Sequence, residues 1–401
     1  MITPIGVALQ ALAAVFTIYA ALAVGHFVIQ LVYAHKTHRY QRDARFQTAF
    51  APNALTVDVI VPVYNEMPAD LEACTASILG QRHRGTIRLI VIDDGSTNRA
   101  DLMPIYERLR ARGVTVILAA RNGGKREAQY LGSQELSSEI VVTVDSDTRL
   151  APDAVAMITR QFSDPKIGGI TGNVAVTNSH RNVLTRLIGM RYWMAFHQER
   201  AAQSWFRTVL CCSGPLSAYR RTILEHVMDP YIQQTFRGVR CTYGDDRHLT
   251  NLVLALNFDT VFDAGARATT SVPETISAYL RQQLRWNRSF YRELKWTTPF
   301  LLRRPWYIWF DLASEILLPA LLLLSVLSIV AYSFTLSIWH LIRWVAFVAA
   351  FALIRATYGA VREQKAEFFL FVLYGFVHAS LLIPTRALAL LTLRDNRWGT
   401  R

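Results

Sequence analysis

Two carboxylates one residue apart, Asp145-Ser146-Asp147, follow the apolar run Ile140 to Val144. In an extended segment residues two apart share a face, so both can converge on one divalent cation bridging two phosphates. A second pair, in Asp93-Asp94-Gly95-Ser96, ends the run Arg88 to Ile92, where one carboxylate can accept hydrogen bonds from a base or a ribose. A third, in Gly244-Asp245-Asp246-Arg247, precedes a predicted helix His248 to Leu256, and Asp246 there is a candidate general base for an acceptor hydroxyl. Gln282, Arg285 and Trp286 lie three and four apart, hence on one helical face, where an Arg can hold pyrophosphate and an indole can stack on a sugar. The set provides for a metal-bound diphosphate on one side and a proton acceptor on the other.

Each motif also has a plainer explanation. An Asp-x-Asp triplet occurs in surface turns, Asp-Gly is a frequent turn pair, an Asp at a helix start caps it, and Arg with Trp forms belts beside membranes. What favours chemistry is their order along one chain, with acidic clusters placed behind apolar runs.

The elements that must position them alternate. Val57 to Val63 is a β-rich run ended by Tyr64-Asn65-Glu66, and Leu71 to Leu79 has helical spacing. Arg88 to Ile92, helix Asp101 to Arg112, Val114 to Ala119 and Ile140 to Val144 continue the series. Such alternation predicts an α/β fold with a mostly parallel sheet, in which ligands bind beyond the carboxyl ends of the strands. Gly168 to Phe262 is less regular and is read as the acceptor-side half of the same domain. Tyr279 to Trp296 predicts a helix, and Thr297 to Trp309, with Arg303, Arg304 and Trp306, suits a membrane headgroup layer.

Hydrophobic residues make up 52% of the 401, an excess concentrated in a few segments. Ile5 to Ala34 lacks any Asp, Glu, Lys or Arg and exceeds the roughly 20 residues of a spanning helix. It has no basic start and is too long for a cleaved signal, so it is expected to be an anchor. Lys36, Arg39, Arg42 and Arg45 follow it, which places the next domain in the cytoplasm. Leu312 to Phe334, Trp344 to Tyr358 and Phe368 to Leu393 are three further hydrophobic segments, and a cytoplasmic C-terminus is expected after them. The charge of +13 is carried by many Arg residues beside these segments, pointing to lipid headgroups and nucleotide diphosphates rather than nucleic acid. Cys74, Cys211, Cys212 and Cys241 form no Cys-x-x-Cys pair, fitting reduced thiols and no zinc site.

From about Val57 to its end the chain resembles the processive, membrane-embedded family-2 glycosyltransferases, above all hyaluronan synthases and nodulation chitooligosaccharide synthases. The resemblance implies a glycosyltransferase A-type domain at 54–290 behind a membrane helix at 1–35 and a linker at 36–53. Interfacial amphipathic helices at 291–309 and a membrane channel region with a tail at 310–401 would follow. It implies a uridine pocket of Pro62, Tyr64, Glu66 and Asp94, with Lys125 near the nucleotide, and Asp145 and Asp147 as the pair for Mg²⁺ or Mn²⁺ and diphosphate. Ser213, Gly214 and Pro215 would shape the acceptor site, and Asp246 would be the catalytic base. Gln282, Arg285 and Trp286 would be the Q-x-x-R-W signature, with Trp398-Gly399-Thr400-Arg401 matching a W-G-T-R ending, where Trp398 and Arg401 meet the nucleotide.

The expected activity is inverting, processive polymerisation of UDP-N-acetylglucosamine, with UDP-glucuronate as second donor, and export of the growing polysaccharide across the plasma membrane. Cys212 to Ser217, Asn287 to Glu293 and the W-G-T-R end look like hyaluronan synthase. The single N-terminal helix and Asp246-Arg247-His248-Leu249-Thr250 look like the nodulation enzymes, which supports an alternative using UDP-N-acetylglucosamine alone. A non-catalytic membrane scaffold would not need the acidic clusters intact, and a non-processive lipid-linked transferase would not need Q-x-x-R-W.

Overall fold

The computed structural model describes residues 4–335 and 338–396. Trp398 and Arg401 lie outside them. Among the described residues ten strands form a sheet of eight and a small hairpin. The strands are β1 Val57–Val63, β2 Ile87–Asp93, β3 Thr115–Leu118, β4 Ile140–Thr143, β5 Arg149–Leu150, β6 Ile167–Val176, β7 Ser217–Arg220, β8 Thr235–Phe236, β9 Val239–Arg240 and β10 Asp259–Thr270. The large sheet runs β3-β2-β1-β4-β7-β6-β10-β5, with β1 to β4 parallel and β7 antiparallel to both neighbours. The parallel half is the one the alternating pattern predicts.

All seven residues of β1 are buried, because helices cover both faces of the sheet. Val57, Val59, Val61 and Val63 pack against α3 (Pro68–Leu79) and α4 (Arg99–Ala111). The alternate residue Ile60 packs with α5 (Lys125–Ser133), α9 (Arg221–Ile232) and α10 (Asp245–Ala255). At roughly 25 cal/mol per Å² of apolar surface, these two layers are the main stabilising contribution and hold the strand ends in fixed register.

Helix α1 spans Pro4–Arg42 and α2 spans Ala44–Ala49. The stretch 36–53, expected as a linker, is therefore mostly helical. Several of its polar side chains dock on the sheet domain: Thr37 Oγ1 donates to Ala201 O at 2.7 Å, and Gln41 Nε2 donates to Phe262 O. Helices α6 (Ala154–Thr159), α7 (Val183–Met194) and α8 (Ala201–Trp205) follow in the domain, with a π-helical segment Ala195–Arg200 joining the last two. Helix α11 runs unbroken from Ile276 to Leu301, so the boundary expected at 290/291 falls inside one helix. Beyond it lie α12 (Trp306–Thr335), α13 (Ile338–Glu363), α14 (Phe371–Val377) and α15 (Ile383–Leu391), with a second π-helical segment at His378–Leu382. Four stretches, Ala14–Arg42, Trp306–Ser328, Leu341–Glu363 and Ala366–Leu391, are long and apolar enough to cross a membrane.

Candidate active site

The carboxyl ends of β1, β2 and β4 open on one cavity of about 1210 Å³ that continues between the apolar helices. Pro62, Tyr64 and Glu66 reach it from the end of β1, Asp94 from β2, and Asp145 and Asp147 from β4. Lys125, the loop Ser213-Gly214-Pro215, Asp246, and Gln282, Arg285 and Trp286 of α11 complete its wall. Every expected site residue that the structure describes thus faces one space.

Lys125 stands at the centre of its charges. Its Nζ lies 2.6 Å from Asp145 Oδ1 and 2.9 Å from Asp245 Oδ2. Burial alone would lower its pKa, but Asp145 and Asp245 outweigh that and hold it well above the usual lysine range. The approach is tight because residue 214 has no side chain: a Cβ there would meet Lys125 Nζ at 2.7 Å and Asp145 Oδ2 at 3.0 Å. Asp245 was not singled out from sequence; only its neighbour Asp246 was.

The two adjacent aspartates are pushed apart. Burial would raise Asp245, but Lys125 lowers it below the usual carboxylate value. Asp246 is raised, first by burial and then by the Asp245 charge, with Lys125 partly offsetting both. Divergent environments for a carboxylate pair mark the one able to take up a proton. Asp246 Oδ1 accepts the Arg247 N–H at 2.7 Å, and the Cys211 thiol donates to Oδ2 at 3.5 Å. Burial and Asp246 push that thiol up to about 12, so it stays protonated as a donor.

Asp94 is hydrogen-bonded to the loop that precedes α5. Its carboxylate accepts the N–H groups of Gly123 and Gly124, both at 2.8 Å, and Asn122 Nδ2 at 3.0 Å. It ties the loop before α5 to the end of β2. Gly95 permits this closeness: its φ is +69°, and a Cβ would lie 2.4 Å from the Asn122 nitrogen. Asp93, by contrast, is structural, held by Arg99 at 2.6 Å and Tyr106 Oη at 2.7 Å. Glu66 Oε2 accepts from Ser146 Oγ at 2.6 Å, which links the β1 and β4 loops.

Asp145 and Asp147 are not on an extended segment. β4 ends at Thr143, and the chain turns so that Thr148 N–H donates to Asp145 O at 3.0 Å. The turn still brings both carboxylates to the cavity, with Thr270 Oγ1 donating to Asp147 Oδ1 at 3.1 Å. No cluster of three or more His, Cys, Asp or Glu suited to a metal occurs among the described residues. Two hard oxygen donors at an open wall fit a cation of the Mg²⁺ or Mn²⁺ class, which takes one or two carboxylates and completes its shell with phosphate and water. They do not fit a closed zinc site.

A model of the family described as "Glycosyltransferase like family 2" matches residues 52–289, the sheet and its acidic loops. The chain belongs to glycosyltransferase-like family 2. An N-acetylglucosaminyltransferase of Sinorhizobium fredii is 38% identical over 392 residues, 97% of this chain and 94% of the relative. One of Rhizobium meliloti is 37% identical over 392 residues, 97% and 91% of the two chains. A mannosyltransferase of Pyrobaculum calidifontis, solved with GDP-Man and Mn²⁺, superposes with a TM-score of 0.61 over 91% of this chain and 98% of its own, at 19% identity. That likeness concerns the fold, and the family-2 transferase shares with it the mixed, mostly parallel sheet. The chain is thus a glycosyltransferase with, among its described residues, four helical stretches long and apolar enough to span a membrane.

Proposed function

We propose that this glycosyltransferase is an inverting, membrane-inserted N-acetylglucosaminyltransferase that builds a β-linked, chitin-type oligosaccharide from UDP-N-acetylglucosamine, its catalytic domain facing the cytoplasm. The observation that carries the reading is the single cavity in which Asp246, the raised member of an aspartate pair, faces the same space as Lys125, Asp145 and Asp147. The names of the relatives favour N-acetylglucosamine as the transferred sugar over the alternating hyaluronan reading.

In the step so proposed, an acceptor hydroxyl oxygen bonds to the anomeric carbon as the bond from that carbon to the UDP oxygen breaks. The electron pair leaves with UDP, and the hydroxyl proton passes to Asp246. Attack opposite the leaving group inverts the anomeric centre. Lys125 and Arg285 stabilise the negative charge that grows on the diphosphate. A divalent cation, when bound at Asp145 and Asp147, supplies further Lewis-acid stabilisation of that charge. Trp286, which is half exposed with its ring 6.4 Å from that of Tyr192, offers the acceptor sugar a stacking surface. The cavity wall continues onto α1, α12, α13 and α14, which supports an exit path through the membrane.

The test is purified protein in detergent with Mg²⁺ or Mn²⁺, given UDP-N-acetylglucosamine with and without UDP-glucuronate. Oligomers formed from the first donor alone and digested by chitinase support the proposal. Polymer that requires both donors and yields to hyaluronidase refutes it in favour of the hyaluronan reading, which the motifs Cys212 to Ser217 and Asn287 to Glu293 resemble.

A further inference from the structure

Asp311 on α12 is a fully buried carboxylate within an apolar helix. Ionisable groups in such segments are costly and tend to mark function. Its Oδ1 lies 2.7 Å from His26 Nε2 and accepts from Gln30 Nε2 at 3.1 Å, while Oδ2 accepts from Gln203 Nε2 at 2.8 Å. A carboxylate oxygen bonded by an amide N–H is the acceptor, so both glutamines turn their Nε2 toward Asp311.

Two relays follow from that polarity. Gln203 turns its Oε1 away from Asp311 and toward Leu210, whose N–H donates to it at 3.1 Å. Leu210 precedes Cys211, the residue that touches Asp246. Gln30 turns its Oε1 toward Gln198, whose Nε2 donates at 2.7 Å. The second relay therefore ends on Gln198 Oε1. Gln198 is 1% exposed, lines the cavity, and its Oε1 has no hydrogen-bond partner among the described residues. A buried acceptor in that state is unfavourable until water or a ligand hydroxyl or N–H supplies the donor. Gln198 also sits in the π-helical segment Ala195–Arg200, and such widened turns recur at functional sites.

We infer that Gln198 Oε1 is a saccharide subsite, accepting a hydrogen bond from a hydroxyl or acetamido N–H of the acceptor chain, and that Asp311 is the positioning residue that sets its polarity through Gln30. The inference rests on the proposed N-acetylglucosamine transfer and deepens its acceptor side. Asp311→Asn keeps the volume but gives the hub a donor, so both glutamines can reverse. Gln198→Met keeps the length and removes the acceptor. Gln30→Met interrupts the relay midway and serves in place of Asp311→Asn if that variant does not fold.

Initial rates are measured on the full chain in detergent with UDP-N-acetylglucosamine and increasing chitotriose. KM for chitotriose rises about tenfold in each variant, as for one lost hydrogen bond, with the Kd of UDP unchanged by titration. The double variant Asp311→Asn/Gln198→Met is no worse than either single, since both remove one interaction. An unaltered acceptor KM in Gln198→Met overturns the subsite, and additive losses in the double variant overturn the relay. Wild-type protein that transfers no N-acetylglucosamine refutes the proposed function instead, so the two failures are distinct.

Discussion

Lys125 Nζ lies 2.9 Å from Asp245 Oδ2, and the same ammonium touches Asp145 at 2.6 Å. One cation thus joins the loop that carries Asp145 and Asp147 to the helix start that carries Asp245 and Asp246. Its charge also partly offsets the rise in the Asp246 pKa.

Lys125→Met leaves Asp145 and Asp245 without their shared counter-charge. Affinity for UDP falls on the order of tenfold or more, since a partly buried carboxylate loses its partner where the diphosphate must approach. The acid limb of the pH–rate profile moves to higher pH, because a charge that favours ionised Asp246 is gone. Titration calorimetry and initial rates across pH check both.

Asp245→Asn moves the same limb the other way. The Asp246 pKa is raised above the usual carboxylate value, so the wild-type base form is lost as pH falls through that raised value. Removing the Asp245 charge removes its second-largest cause and shifts the limb to lower pH. A weaker base also lowers the plateau rate, by roughly tenfold on Brønsted grounds. A kcat profile between pH 4 and 9, on the order of that window, shows the shift.

Gly214→Ala places a methyl group 2.7 Å from Lys125 Nζ and 3.0 Å from Asp145 Oδ2, inside contact distance. The ion pair must separate. Turnover falls at least about tenfold with little change in thermal stability, because the strain is met by a long side chain lining a cavity. Rates and a melting curve on the same preparation test this.

Asp94→Asn sets an amide where a carboxylate accepts three donors. The loop 122–124 loosens, hydrogen exchange at the Gly123 and Gly124 amides quickens, and KM for the donor rises while the Asp246 limb stays in place. The cost is on the order of 1–3 kcal/mol for an unsatisfied buried amide.

The parallel half of the sheet was legible because β1, β2 and β4 are largely buried and read as mostly apolar, β-rich runs. Two acidic clusters were legible because they end such runs, and the third because it opens a helix. Strands β6, β7 and β10 escaped because glycines and polar residues interrupt them, as in Ile167–Val176, and β7 pairs antiparallel to both neighbours. The hydrogen-bond partners of Asp94 could not be read, since residues 122–124 are nearly thirty positions away and brought to it only by folding. Asp245 carried the signal that it adjoins Asp246, but a helix-capping Asp carries the same signal. The Asp311 relay joins residues some 280 positions apart, and its one local sign is His26 and Gln30, four apart on an apolar helix.

The most direct measurement pairs two readouts on Asp246→Asn: N-acetylglucosamine transfer from UDP-N-acetylglucosamine, and UDP affinity. Loss of the proton acceptor lowers transfer by about 10²–10⁴-fold, the usual contribution of a general base, with UDP binding largely kept. Transfer at the wild-type rate by that variant would contradict Asp246 as the base and, with it, the mechanism built on this cavity.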